Sequence, residues 1–289
     1  MEKRDRGLTS ALYVWNGMSV FWGTSFHTNP HFHNTLQLVF DIDKEFLLKD
    51  ATNGWAPYSS AIIRASHTHQ LDSNGSIQLF IYLDKESQFS KKLVEKYLLK
   101  KNINHLKDSE IRNLSNDFFK RLLVINDCDT LFEGCINVLN HLVQIKKLSR
   151  LDDRIEKVIS FITNSPNKQL KVRTIAAQVC LSESRLRHRF KEQVGQPIQN
   201  FILWMKVVDS LNLILKGNQI TKTAHETGFW DSSHMNRSYR ELLGSTPGAI
   251  KKYEDDIRIV SCGNKNLYSI KTQIFRDWND TQPFKAIQL

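Results

Sequence analysis

A pattern of 18 residues occurs twice in the C-terminal half of this 289-residue chain, and an internal repeat of that kind sets the architecture around it. The first copy runs from Thr174 to Lys191 and the second from Thr223 to Arg240. Ala176 matches Ala224 and Cys180 matches Gly228. Past the turn, which is one residue longer in the second copy, Leu186 matches Met235, Phe190 matches Tyr239 and Gly195 matches Gly244. Each copy reads as a helix-turn-helix. A small residue lets two helices cross closely, and a position tolerant of a tight backbone follows four residues later. Ser182 and Asp231 are placed to cap the second helix of each pair. The apolar pairs Leu186/Phe190 and Met235/Tyr239, spaced at i and i+4, then turn inward. That leaves Ser184, Arg187, His188 and Lys191 facing outward in the first copy, and Ser233, Asn236, Arg237 and Arg240 in the second. Such donor-rich side chains read base edges and grip phosphates. One amphipathic hairpin is as readily plain packing. Two of them, both basic on the open face, favour nucleic acid.

Between the copies, Pro197 suits a helix start and Gly217 a helix stop. About 18 helical residues make a rod of roughly 27 Å. Successive major grooves on one face of DNA repeat every ~34 Å, so a rigid connector of this order can serve two of them.

The charge agrees. Forty Lys and Arg against 30 Asp and Glu give +10, which favours an anionic partner such as nucleic acid or a membrane surface. Residues 1–88 hold 7 basic and 9 acidic side chains, 89–150 hold 12 and 7, 151–252 hold 16 and 9, and the last 37 hold 5 and 5. A basic C-terminal half behind a slightly acidic front suggests a nucleic-acid module joined to something else. With 40% hydrophobic and 24% charged residues, disordered, collagen-like and disulfide-scaffold chains are excluded. No apolar run approaches the ~20 residues of a membrane span, and the charged N-terminus lacks a secretory signal. Cys128, Cys135, Cys180 and Cys262 form no CxxC pair. A reduced, cytoplasmic protein with no membrane partner is expected.

The fold class expected is α+β. Short β-rich pieces at Ala11–Trp15, Ser19–Trp22, Thr35–Phe40, Glu45–Leu48, Ser60–Ile63 and Ile77–Leu83 are separated by turn formers such as Asn16-Gly17 and Asn74-Gly75. They predict a small antiparallel barrel or sandwich over residues 1–88. Helical periodicity takes over at 89–101, 110–125 and 129–148. Residues 152–252 read as almost wholly helical, with motifs at about 172–193 and 220–242 and breaks at Asn164-Ser165-Pro166, Gly195-Gln196-Pro197 and Ser245-Thr246-Pro247. Residues 253–289 show no clear period and read as a short tail that packs back on the protein or not at all.

At this point the segment Gly228-Phe229-Trp230-Asp231-Ser232-Ser233-His234-Met235-Asn236-Arg237-Ser238-Tyr239-Arg240 with Gly244-Ser245-Thr246-Pro247 carries a resemblance. From about Leu151 to Lys252 the chain resembles the DNA-binding domain of AraC/XylS-type bacterial transcription regulators. Phe201-Ile202-Leu203-Trp204-Met205-Lys206 is similar to that family's linker helix. The resemblance implies a seven-helix domain contacting two neighbouring major grooves. Carried over by position, the base-reading candidates are Ser184, Arg187 and His188, then Ser232, Ser233, Asn236 and Arg237. Two positions depart from the family pattern: His188 stands where Arg is usual, and Cys180 replaces a customary Gly. His is a weaker bidentate partner for guanine than Arg. Cys180 is read as a small buried residue in preference to a redox group.

More distantly, the front resembles the cupin-like sensing domain that often precedes such domains. Its antiparallel β-barrel would enclose an effector pocket lined by Trp22, His33, Leu38 and Trp55. The histidines are expected to be hydrogen-bonded or to line that pocket. No metal is expected, because neutral Gln37 stands in for the acidic ligand; His31, His33, Gln37 and His67 are the set that would hold an ion. The helices between residues 89 and 150 would link the domains, covering the barrel or supplying a dimer contact.

The expected function is sequence-specific regulation of transcription on double-stranded promoter DNA. A small-molecule effector would control it, with RNA polymerase as a partner and a homodimer as the working form by family resemblance, and with no cofactor and no catalysis. The alternative is a cupin-type metalloenzyme with an attached helical domain, and a third reading is a basic adaptor that docks acidic proteins. Neither a GxSxG nucleophile turn nor a GxxxxGK phosphate loop occurs.

Overall fold

The computed structural model describes residues 10–24, 27–106, 127–143, 151–166, 168–243, 245–252 and 257–267. The front half consists of strands β1 (Ser10–Asn16), β2 (Met18–Thr24), β3 (Thr35–Asp41), β4 (Phe46–Asp50), β5 (Ala56–Tyr58), β6 (Ser60–Ile63), β7 (His69–Asp72) and β8 (Ile77–Asp84). Helix α1 (Gln88–Tyr97), strand β9 (Ile103–His105) and helix α2 (Cys128–Val143) follow. Every strand read from the sequence is present. The additional β5 and β7, three and four residues long, are too short to show a period. Of the expected helices, 89–101 and 129–148 correspond to α1 and α2, and 110–125 lies outside the described residues.

Asn16-Gly17 makes the expected tight hairpin: Trp15 pairs with Met18 across it, and Gly17 takes φ +82°, a left-handed conformation that costs glycine least. The strands form two sheets. One runs β1-β2-β8-β3-β6-β9 and the other β5-β4-β7. Among the described residues they pack as two layers instead of closing into one hydrogen-bonded barrel, so the α+β class holds with an open version of the expected front. Side-chain alternation along the strands explains the layering. Leu36, Leu38 and Phe40 of β3 and Leu79, Ile81 and Leu83 of β8 bury against α1 and α2. Val39 and Phe80, one residue out of step, bury against Phe46, Leu48 and Leu71 of the small sheet.

The segment after residue 252 yields a strand the sequence did not announce. Strand β10 (Arg258–Asn266) adds to the large sheet parallel to β1, pairing Ala11 with Arg258 and Val14 with Ser261. Its Cys262 is disulfide-bonded to Cys128 of α2, across 134 positions and a Cα separation of 5.8 Å. The expectation of four reduced cysteines is therefore corrected for this pair: strand addition at the sheet edge brings the two within bridging range.

Among the described residues, α3 (Asp153–Asn164), α4 (Val172–Gln178), α5 (Glu183–Val194), α6 (Ile198–Leu215), α7 (Ile220–Glu226), α8 (Ser232–Leu243) and α9 (Pro247–Lys252) supply the seven helices that the resemblance implied. They form two apolar cores that share α6 as a wall. Ile198, Phe201, Ile202 and Met205 bury with α3, α4 and α5. Val207, Val208, Leu211 and Ile214 bury with α7, α8 and α9. By length and composition alone α6 could cross a bilayer. Its apolar girth has another cause here, since a helix packed on several sides is hydrophobic nearly all round.

The second core also takes in Val14 of β1, with Leu12 and Ile259 packed against it, so the sheet edge lies directly on α6. Polar contacts fasten the same junction. Trp204 Nε1 donates to Asp84 Oδ2 at 3.1 Å, and Ser261 Oγ donates to the Val208 carbonyl at 2.9 Å. Gln88 Nε2 and Lys91 Nζ donate to the carbonyls of Gln193 and Gly195, each at 2.6 Å. Gly195 ends α5 at φ +92°, and a Cβ there would stand 3.0 Å from the Glu86 carbonyl. Only glycine permits both the left-handed cap and so close an approach.

Candidate nucleic-acid interface

The two repeats fold alike down to their turns. In the first, Leu181 N donates to the Ala176 carbonyl at 3.0 Å; in the second, Phe229 N donates to the Ala224 carbonyl at 2.9 Å. Cys180 and Gly228 occupy the same left-handed position, at φ +51° and +83°. Cys180 is exposed at the tip of its turn, which corrects the expectation of a buried residue. The left-handed backbone carries its side chain outward.

Helices α5 and α8 begin as the capping pattern predicts. The Ser182 side chain accepts from Arg185 N at 3.3 Å, and Asp231 Oδ1 accepts from His234 N at 2.6 Å. Leu186, Phe190, Met235 and Tyr239 are all buried. Tyr239 also ties α8 to the connector, its hydroxyl lying 2.8 Å from Ser210 Oγ and donating to the Val207 carbonyl at 3.2 Å.

With the apolar faces spent on packing, the opposite faces stand open. Ser184, His188 and Lys191 on α5 are exposed, as are Ser233, Arg237 and Arg240 on α8; Arg187, Ser232 and Asn236 are half-buried. Two arginines on these faces differ, Arg187 standing opposite Asn236 in the repeat and Arg237 opposite His188. Arg187 donates through Nε and Nη2 to Glu183 Oε1, at 3.1 and 2.5 Å. Arg237 has no ion-pair partner among the described residues, and neither have Arg240 and Lys191.

Several basic residues counted with the positive half serve inside it instead. Arg189 pairs with Asp152 at 2.6 Å, and Lys168 with Asp209 at 3.1 Å. Hydrogen bonds from Arg154, joined by the nearby Arg189 charge, hold the Asp152 carboxyl down at about 2. Lys206 donates to the Gly228 carbonyl at 2.6 Å and lies over the Phe229 ring, and burial lowers its pKa. This lysine props the second turn from the connector.

Two exposed neighbours escape a reading confined to the matched positions. Arg185 is open on α5, and Trp230 at the entry to α8 is 84% exposed. An aromatic residue between a buried Phe229 and the cap Asp231 has no room in the core, and that is the signal the sequence offered.

The pocket residues proposed for the front half do not converge. Trp22 and Leu38 are buried in the apolar core under α1 and α2. Trp55 is exposed beside His27, with ring centres 5.5 Å apart. His33 lies with His31 and His69. The metal set is likewise rearranged. His67 bonds through Nε2 to Asp50 Oδ2 at 3.0 Å, and the histidine that joins His31 and His33 is His69.

The open donor faces, repeated turns and shared rod define a helix-turn-helix DNA-binding module, and the comparisons with known proteins agree. A family model described as a helix-turn-helix domain matches residues 175–253. An HTH-type transcriptional regulator of Escherichia coli, YidL, is 28% identical over 103 residues, 35% of this chain and 35% of that protein. The arabinose operon regulatory protein of Salmonella typhimurium is 24% identical over 137 residues, 46% of this chain and 47% of that one. The chain spans about a third to a half of the length of these curated relatives. Among solved structures, ToxT of Vibrio cholerae is matched at a TM-score of 0.44 and 13% identity, over 81% of this chain and 97% of that one. Residues 175–253 form a helix-turn-helix domain, and the segment is similar to the arabinose operon regulatory protein and to an AraC-like regulator of Streptomyces antibioticus, 25% identical over 103 residues.

Proposed function

We propose that this protein is a sequence-specific, non-catalytic transcription regulator that binds double-stranded promoter DNA through α5 and α8, set in two adjacent major grooves. Ser184, Arg187, His188 and Lys191 serve the first groove, and Ser232, Ser233, Asn236, Arg237 and Arg240 the second, with Arg185 and Trp230 at their margins. The observation that carries the reading is the pair of donor-rich helix faces left open on either side of one buried rod. Packing explains the inward residues of α5 and α8, but it does not explain why Lys191 on α5 and Arg237 and Arg240 on α8 stand exposed with no ion-pair partner among the described residues.

In this reading residues 151–252 are the DNA-binding domain, 1–88 the sensor and 89–150 the linking helices. The 253–289 tail adds its strand to the sensor sheet. The contacts of Asp84, Gln88, Lys91 and β10 with α5 and α6 favour control from the front half, since a ligand there acts on the connector that spaces the two reading helices. By family resemblance the protein works as a homodimer in the cytoplasm and engages RNA polymerase.

The test is fluorescence anisotropy with DNA selected from a random pool, against unselected DNA, over a salt series. Affinity falls steeply with salt on both, and the selected sequence keeps an advantage of about a thousandfold or more. Equal binding to the two DNAs at every salt concentration overturns the reading.

A further inference from the structure

Three histidines of the sensor half meet at one point away from the DNA-reading helices. His31 and His69 form an antiparallel bridge, each backbone N–H donating to the other's carbonyl, at 3.0 and 2.9 Å. This places their rings 4.5 Å apart, and the His33 ring joins at 4.9 Å from His31 and 5.9 Å from His69. One ring nitrogen from each histidine lies within 4.8 Å of the others.

The hydrogen bonds of the cluster leave it one-sided. His31 Nδ1 is 2.9 Å from the Asn29 carbonyl, and His69 Nδ1 is 2.9 Å from the His67 carbonyl. A carbonyl oxygen only accepts, so both Nδ1 atoms carry the proton and both Nε2 atoms present lone pairs. His69 is 2% exposed, and its Nε2 has no hydrogen-bond partner among the described residues. A buried acceptor left bare is costly, and native structures keep few of them.

We propose that His31, His33 and His69 form a binding site for a divalent first-row transition ion of the zinc(II) class. Neutral imidazole nitrogens select zinc, copper, nickel or iron over calcium and magnesium, which require oxygen ligands. Backbone carbonyls that fix the Nδ1–H tautomer supply the outer contact that ligating histidines normally have. With metal–nitrogen bonds of about 2.0–2.1 Å, nitrogens around one tetrahedral ion stand roughly 3.3 Å apart. The rings therefore draw in by about an ångström and a half at most. The bare Nε2 of His69 gains the partner it lacks. Gln37 Oε1 is a second buried acceptor with no partner among the described residues, on the strand position opposite Tyr82, whose ring meets His33 at 5.1 Å. It and water are the oxygen ligands available to complete the shell.

The test uses the full chain, freed of any affinity tag and of metal by chelation, titrated with cobalt(II) and then competed with zinc(II). The expected result is one ion per chain, with the visible d–d bands of a tetrahedral site and no thiolate charge-transfer band. His31→Gln and His33→Gln weaken binding about tenfold or more, while their far-ultraviolet circular dichroism matches the parent. These partly exposed positions carry the test, because His69→Ala opens a buried site and can fail to fold. Substoichiometric binding, thiolate bands that report Cys180, or variants binding as tightly as the parent overturn the proposal.

Discussion

Arg237→Ala tests the assignment of the second reading helix where the structure makes the sharpest contrast. Arg237 is exposed with no ion-pair partner among the described residues, whereas Arg187 on α5 is already bonded to Glu183. A guanidinium that reads a base contributes about 1–3 kcal/mol. Loss of Arg237 therefore weakens binding to selected DNA by about 5- to 150-fold and leaves binding to random DNA almost unchanged. Arg187 must first leave Glu183, and an i,i+4 pair at such exposure is worth about 0.3–0.5 kcal/mol. Arg187→Ala accordingly costs less by that amount, and Glu183→Gln tightens DNA binding about twofold. The salt series separates base from phosphate contacts: Lys191→Ala lowers the slope of log K against log salt by about one, while Arg237→Ala leaves it unchanged. If Arg237→Ala keeps the parent's ratio of selected to random affinity, this arginine does not read a base and the placement of α8 in the groove fails.

Four further outcomes are expected. Trp230→Ala leaves the thermal melt in place, because the side chain is almost fully in solvent, and weakens DNA binding; an unchanged isotherm removes Trp230 from the interface. Tyr239→Phe deletes one buried hydroxyl bonded to Ser210 and Val207 and costs about 1–2 kcal/mol in urea unfolding; a change below 0.5 kcal/mol would contradict that account. Gly228→Ala forces a left-handed residue into the second turn and destabilises by about 1–2 kcal/mol, whereas Cys180→Gly relieves the equivalent strain and stabilises by up to about 1 kcal/mol. Calorimetry on both variants checks the opposite signs. Reduction of the Cys128–Cys262 bridge removes about 2–4 kcal/mol, seen as a lower melting temperature in reductant that a Cys128→Ser variant reproduces without it.

How much of this was legible beforehand depends on the range of the forces involved. The helix-turn-helix units are written in local chemistry: an i, i+4 apolar pair, a capping Ser182 or Asp231, and a turn residue that accepts positive φ. Each acts within a few positions, so the sequence displays them directly. The strands carrying Leu36–Phe40 and Leu79–Leu83 were visible for the same reason. Pocket assignments in the front half failed where register decides. His67 and His69 differ by two positions, yet the first lies in a turn bonded to Asp50 while the second is drawn under the sheet by its bridge to His31. Trp22 and Leu38 looked like pocket walls, but strand alternation sends both into the core under α1 and α2.

By itself, then, the chain's order of residues determined two repeated reading units, their spacing rod and a strand-built front, because periodicity, caps and turns are settled by near neighbours. Tertiary structure alone decided that β10 returns to pair with β1, that Cys128 reaches Cys262, that Trp204 meets Asp84, and that three histidines share one point. Those outcomes hang on sheet register and on contacts between segments far apart in the chain, as in Ala11 with Arg258, 247 positions on. No local pattern encodes such pairings, since the energy that selects them comes from surfaces that exist only once the sheets and helices have packed.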